Sequence, residues 1–114
     1  MTNDEVPVEI DVNEVKALLD GGADTLRLID CREQDEWDIC HIDGAELMPL
    51  TRFGEEADAK LQDTTQRAII YCHHGMRSLR AASWLRQKGF DKVQSMAGGI
   101  AAWSDYVDPE MPRY

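Results

Sequence analysis

The run Ala68-Ile69-Ile70-Tyr71 is the most β-prone stretch of the chain; it ends at Cys72, with Gly75 three residues on and a helix-forming segment from Met76. β-branched and aromatic residues suit a pleated, buried surface, and glycine permits a sharp reversal. These residues therefore read as strand, tight loop and helix in direct succession. A strand that feeds a helix returns to its sheet as a parallel neighbour, so the flanking segments should alternate in the same way.

They do. Residues 8–10 read as a short strand, followed by Asp11 and Glu14 at capping-box spacing and by Val12, Val15, Leu18 and Leu19 at helical period. Gly21-Gly22 ends that helix. Residues 26–30 form a brief apolar strand interrupted by Arg27, residues 34–39 a short acidic helix, and residues 41–44 a turn. Residues 45–50 form a further extended segment, and residues 51–62 are weakly helical and broken by Gly54. Residues 76–88 form a helix with Leu79, Ala82, Trp84 and Leu85 on its apolar side and Gly89 at its stop. Residues 92–96 return as a strand, Gly98-Gly99 turns, and residues 100–106 make the last helix. Trp37, Trp84 and Trp103 read as core. The expected class is α/β, a single domain over residues 1–114 with a central parallel sheet flanked by helices.

Charge narrows the range of partners. Twenty-two acidic against twelve basic side chains leave a net charge of −10, which opposes approach to nucleic acid or anionic lipid. The apolar runs are too short to cross a bilayer, and the acidic start, with Asp4, Glu5 and Glu9, is unlike a secretory leader, so a cytoplasmic location is expected. Three irregularly spaced cysteines, Cys31, Cys40 and Cys72, argue for reduced thiols over a disulfide framework.

Among them Cys72 stands out. Beyond the carboxyl end of a parallel strand lies the usual ligand position of an open α/β sheet. There the N–H groups of loop and first helical turn lack partners within the helix and can converge on an anion. A thiolate is such an anion, and its pKa falls at a helix N-terminus and beside arginine. Arg77 and Arg80 lie in or near the first turn, an unfavourable place for cations unless negative charge sits in front of them. Arg86 and Lys88 read as a solvated face of the same helix.

Four segments, in order, resemble the single-domain rhodanese family: residues 28–33, residues 40–45, the loop from Cys72 to Ser78, and residues 96–103. The resemblance implies a sulfurtransferase with no cofactor. A thiolate takes a sulfane sulfur from a donor such as thiosulfate, a polysulfide or a protein persulfide, holds it as a persulfide and passes it to a thiophilic acceptor. By carry-over Cys72 is the sulfur carrier. His73, His74, Gly75, Met76, Arg77 and Ser78 form the loop that cradles the outer sulfur, with Arg77 on the donor's oxyanion. Asp30 and Arg32 match the family's Asp-x-Arg and are expected to brace the site. The chain departs from the pattern at Cys31, where Val is more usual, and at Cys40, where Gly is usual. The ending, residues 107–114, resembles that of rhodanese domains fused to enzymes that activate sulfur-carrier proteins; it points either to a protein acceptor, a sulfur carrier or its activating enzyme, or simply to a proline-stiffened tail packed over the domain.

Other readings stand beside these. Cys31 and Cys40 read as buried, inert thiols, with a resolving thiol as the alternative. His73 and His74 form either a positive rim or plain exposed loop, and adjacent residues on a tight loop make a poor metal site, so no metal is expected. A phosphatase or arsenate reductase also uses a Cys-to-Arg loop. Phosphatase loops, however, place one more residue between Cys and Arg than the His73, His74, Gly75 and Met76 found here. A non-catalytic binding module of the same fold is the remaining rival, and retention of Cys72 with Gly75 and Arg77 argues against it.

Overall fold

The computed structural model describes residues 6–22 and 26–114; Asp4 and Glu5, on which part of the leader argument rests, lie outside the described residues. Five parallel strands form one sheet in the order β1-β5-β4-β2-β3. They are β1 (Glu9–Ile10), β2 (Arg27–Asp30), β3 (Glu46–Leu47), β4 (Ala68–Tyr71) and β5 (Val93–Met96). The helices are α1 (Val12–Asp20), α2 (Gln34–Ile39), α3 (Phe53–Lys60), α4 (Met76–Gln87) and α5 (Gly99–Tyr106), with a 3-10 turn at Leu50–Arg52 ahead of α3. None of these helices is long and apolar enough to cross a membrane.

β4 lies at the centre and is buried along its whole length, as a strand covered on both faces requires. Its side chains alternate between two cores. Ile70 and Cys72 face a core with Ile29, Cys31, Phe53, Ala82 and Leu85, beneath α3 and α4. Ile69 and Tyr71 face another with Leu28, Val15, Ile100 and Trp103, beneath α1 and α5.

Several local expectations needed correction. Gly54 does not break its segment; it lies inside α3, where a Cβ would stand 3.8 Å from the Trp84 ring, an ordinary contact. The extended stretch at 45–50 shrinks to Glu46–Leu47. Of the tryptophans only Trp103 is core: Trp84 is 37% exposed, edge-on to Phe53 and beneath the Lys88 ammonium, and Trp37 is half-buried and stacked on His41. The buried face of α4 is Ser78, Ala81, Ala82 and Leu85 in place of one containing Leu79 and Trp84. Nor is Arg86 merely solvated, since it donates to the carbonyls of Val93 and Pro7 and so ties α4 to the sheet edge. Lys88 pairs with Asp58 at 3.3 Å.

The glycines after β5 do more than turn the chain. The first N–H groups of α5 lack intrahelical partners, and two are met by the Cys72 loop: Ile100 N–H donates to the Cys72 carbonyl at 2.8 Å and Ala101 N–H to that of His73 at 3.0 Å. This approach leaves no room for a side chain at Gly99, whose φ is +61° and whose Cβ would collide with both carbonyl oxygens. Gly99→Ala should therefore destabilise the fold by about 2–4 kcal/mol. Urea unfolding measures this, and a change under about 0.5 kcal/mol would contradict the packing described.

Candidate active site

Cys72 follows the last residue of β4, and its side chain is 1% exposed. Gly75, at φ +102°, folds the chain back so that its N–H reaches Cys72 Sγ at 3.0 Å, while the Ser78 N–H, in the first turn of α4, reaches the same atom at 3.4 Å. The Ser78 hydroxyl stands 3.5 Å from Sγ and is itself held by the Ser95 hydroxyl at 2.7 Å, on β5. Cys31, which directly follows β2, lies beside Cys72 in the same core.

Burial alone would push a thiol pKa up. Here the Cys31 hydrogen bond, then the Ser78 hydroxyl and the N–H groups of Ser78 and Gly75, outweigh burial and bring Cys72 down from 9.0 to about 4. The Cys31 thiol moves the opposite way, raised by its bond to Cys72 and by burial, so it keeps its proton.

The remaining loop residues divide in their roles. Gly75 and Ser78 are buried, Met76 is 71% exposed, and His74 is exposed. His73 is half-buried between the rings of His74 at 3.9 Å and Tyr114 at 4.1 Å. Burial and the neighbouring His74 lower its pKa. Arg77 does lie near the site but is not unpaired: it makes a two-point ion pair with Glu36, at 2.7 and 2.9 Å. Glu36, held mainly by Arg77, drops to about 2 and supplies the negative charge that an arginine at a helix start requires. That pair uses one N–H of each terminal nitrogen and leaves Nε–H for another acceptor.

Asp30 and Arg32, both 0% exposed, form a buried pair. Asp30 accepts from the Arg32 backbone at 2.9 Å and from its guanidinium at 2.7 to 3.1 Å. Arg32 also donates to the Cys40 carbonyl at 2.6 Å and the Tyr114 hydroxyl at 2.7 Å. It thus joins the end of β2 to the turn after α2 and to the chain's last residue. Tyr114 donates in turn to Glu36 at 2.9 Å, so the tail packs over the domain. Cys40 is half-buried and directs its thiol to the Pro112 carbonyl at 3.3 Å. Among the described residues no cluster of His, Cys, Asp and Glu is arranged to hold a metal.

Glu36, Ser95, Gly99 and Tyr114 were not anticipated as parts of this site. Each comes from a different element, and only the Glu33-to-Glu36 capping box at the start of α2 left a local trace.

Comparison with known proteins places this geometry. The profile described as "Rhodanese-like domain" matches residues 11–106. A probable adenylyltransferase/sulfurtransferase, MoeZ, from Mycobacterium tuberculosis is 42% identical over 89% of this chain, which spans only 26% of that relative's length. The thiosulfate sulfurtransferase GlpE of Pseudoalteromonas translucida is 35% identical over 75% of this chain and 80% of its own. In fold, the rhodanese-like domain of the Anabaena protein Alr3790 superposes with a TM-score of 0.80 at 23% identity, covering 96% of this chain and 86% of that one.

The buried pair gives a direct test. Arg32→Ala leaves the Asp30 carboxylate buried without its cation and should cost about 3–5 kcal/mol of stability. Urea unfolding of the variant reads this out, and a loss under about 1 kcal/mol would mean that the pair does not brace the site.

Proposed function

This chain belongs to the rhodanese-like domain family, and we propose that it transfers sulfane sulfur through a persulfide on Cys72. The observation that carries the reading is the buried Cys72 sulfur, met by Gly75 N–H, Ser78 N–H and the Ser78 hydroxyl. Its chemistry needs two properties. The sulfur must be anionic to attack a donor, and the transferred sulfur must be kept from bulk water until an acceptor arrives. Depressed pKa and 1% exposure supply both.

In the first half-reaction the Cys72 thiolate attacks the outer sulfur of a donor such as thiosulfate, and the S–S electron pair leaves with sulfite. Arg77, its charge half spent on Glu36, orients the donor's oxyanion through its remaining N–H groups. In the second, a thiophilic acceptor attacks the outer sulfur and Cys72 leaves as thiolate, stabilised again by the same donors. With Cys72 so little exposed, a donor reaches it only when covering side chains move aside.

The resemblance to MoeZ, named as both adenylyltransferase and sulfurtransferase, supports a sulfur-carrier protein or its activating enzyme as acceptor. Small thiols are the other acceptor class. Nucleic acid and membrane surfaces suit the charge of −10 poorly. Phosphate-ester hydrolysis is disfavoured by the short loop, in which four residues, His73 to Met76, separate Cys72 from Arg77.

Intact mass of the reduced protein after thiosulfate, and again after cyanide, tests the proposal. A gain of one sulfur (about 32 Da) that cyanide removes is expected in the wild type and not in Cys72→Ser. In Arg77→Ala, kcat/KM for thiosulfate should fall at least about tenfold while stability falls by about 1 kcal/mol or less. No sulfur gain and no oxidation of Cys72 with thiosulfate, polysulfide or a protein persulfide would sink the reading and favour a binding module.

A further inference from the structure

We propose that Cys31 is a resolving thiol, which attacks the inner sulfur of the Cys72 persulfide, expels the outer sulfur as hydrosulfide and closes a Cys31–Cys72 disulfide. The inference rests on the persulfide reading and adds an internal acceptor to it.

The geometry comes from strand register. Asp30 and Tyr71 are paired across β2 and β4, and each is followed directly by a cysteine. Cys31 N–H continues the ladder to the Tyr71 carbonyl at 3.0 Å. Cys31 and Cys72 are therefore lateral neighbours on adjacent parallel chains, whose spacing is about 4.8 Å. Both point to the same face, since they share a core with Ile29 and Ile70, each two residues earlier on its own strand. Neighbouring chains at this spacing fall within the Cα separation of about 4.4–6.8 Å that disulfides span. The two thiols are free. Cys40 has no such place, because its thiol is directed to the tail at Pro112.

The directions of approach also suit the exchange. Cys31 comes to Cys72 from the neighbouring strand, whereas Gly75 and Ser78 N–H come from the loop and helix. An attack from β2 leaves the loop side to hold the departing sulfur. The step balances without an outside oxidant. The Cys31 S–H and the Cys72 perthiolate become one Cys31–Cys72 S–S bond and one HS⁻. Both cysteine sulfurs are oxidised, the sulfane sulfur is reduced by two electrons, and the Cys31 proton leaves on it. A dithiol reductant returns the pair to two thiols.

In function, Cys31 competes with the external acceptor. A persulfide that meets an acceptor passes its sulfur on; one that waits is discharged as hydrosulfide, and Cys72 is left protected from over-oxidation as a disulfide.

The test loads wild type, Cys31→Val, Cys31→Ala and Cys40→Ser with thiosulfate, removes the donor and follows intact mass and free sulfide without acceptor or reductant. Val and Ala both retain an apolar side chain at a position packed among Ile29, Ile70 and Phe53, so at least one of them folds. Wild type and Cys40→Ser should release hydrosulfide, finish lighter than reduced protein by two hydrogens (about 2 Da), and yield a crosslinked peptide containing Cys31 and Cys72. The Cys31 variants load more slowly, having lost a donor to Cys72, but retain the added sulfur and release at least about tenfold less sulfide. Wild type that keeps its sulfur as long as Cys31→Val, or carries it on Cys31, overturns the resolving role while leaving the Cys72 carrier standing. Failure of every variant to take up sulfur or release sulfide overturns the carrier and the resolving role together.

Discussion

A negative sulfur that is 1% exposed has to be stabilised by protein donors, and most of what surrounds Cys72 is arranged to meet that demand. Three hydrogen bonds converge on one atom, from the Gly75 turn and the first turn of α4, and Cys31 stands beside it just past the end of β2. Since burial pushes a thiol towards its neutral form, these donors decide the outcome. Each depends on an element placed elsewhere in the chain. Ser78 is held by Ser95 of β5, the loop's carbonyls are anchored by α5, and Cys31 is set beside Cys72 by the pairing of β2 with β4.

Around this centre lies a second layer that fixes charges in place. Asp30 and Arg32 close the end of β2, Glu36 binds Arg77, and Tyr114 bridges Arg32, Glu36 and His73. The layer reaches Cys72 by two routes. Asp30 ends the strand from which Cys31 extends, and Arg77 belongs to the same first turn of α4 as Ser78. Surface ion pairs contribute little by themselves, yet a carboxylate at 0% exposure depends on its cation. That difference gives Asp30 and Arg32 a structural weight that the exposed Lys16–Asp20 pair lacks.

Alternation of strands and helices was legible in the sequence, and so was the Cys72 loop, because both are local: apolar residues run into a glycine turn and then a helix. The buried face of α4 was legible only in part: Ala82 and Leu85 are buried as their spacing suggests. Leu79 and Trp84 look like core by residue type, but Ser78, Ala81, Ala82 and Leu85 are buried, Ser78 because its hydroxyl and N–H serve Cys72. Glu36 was equally hard to see, since it lies 41 positions before Arg77 and only its capping box sets it apart from its acidic neighbours. Arg86 looked solvated for the same reason: its partners, Val93 and Pro7, are carbonyls brought near only by the sheet. Cys31 and Cys40 could both be read as inert from sequence. Register separates them, placing one beside Cys72 and the other under the tail.

The central claim is that Cys72 is an anion at neutral pH. Thiolate absorbance near about 240 nm, taken as the difference between wild type and Cys72→Ser across a pH titration, reads that charge directly. A group with a depressed pKa stays ionised until pH falls through its folded value, so the signal should be constant across neutral pH and disappear near about pH 4. A signal that appears only as pH rises through about 8–9 would show an ordinary thiol and contradict the account.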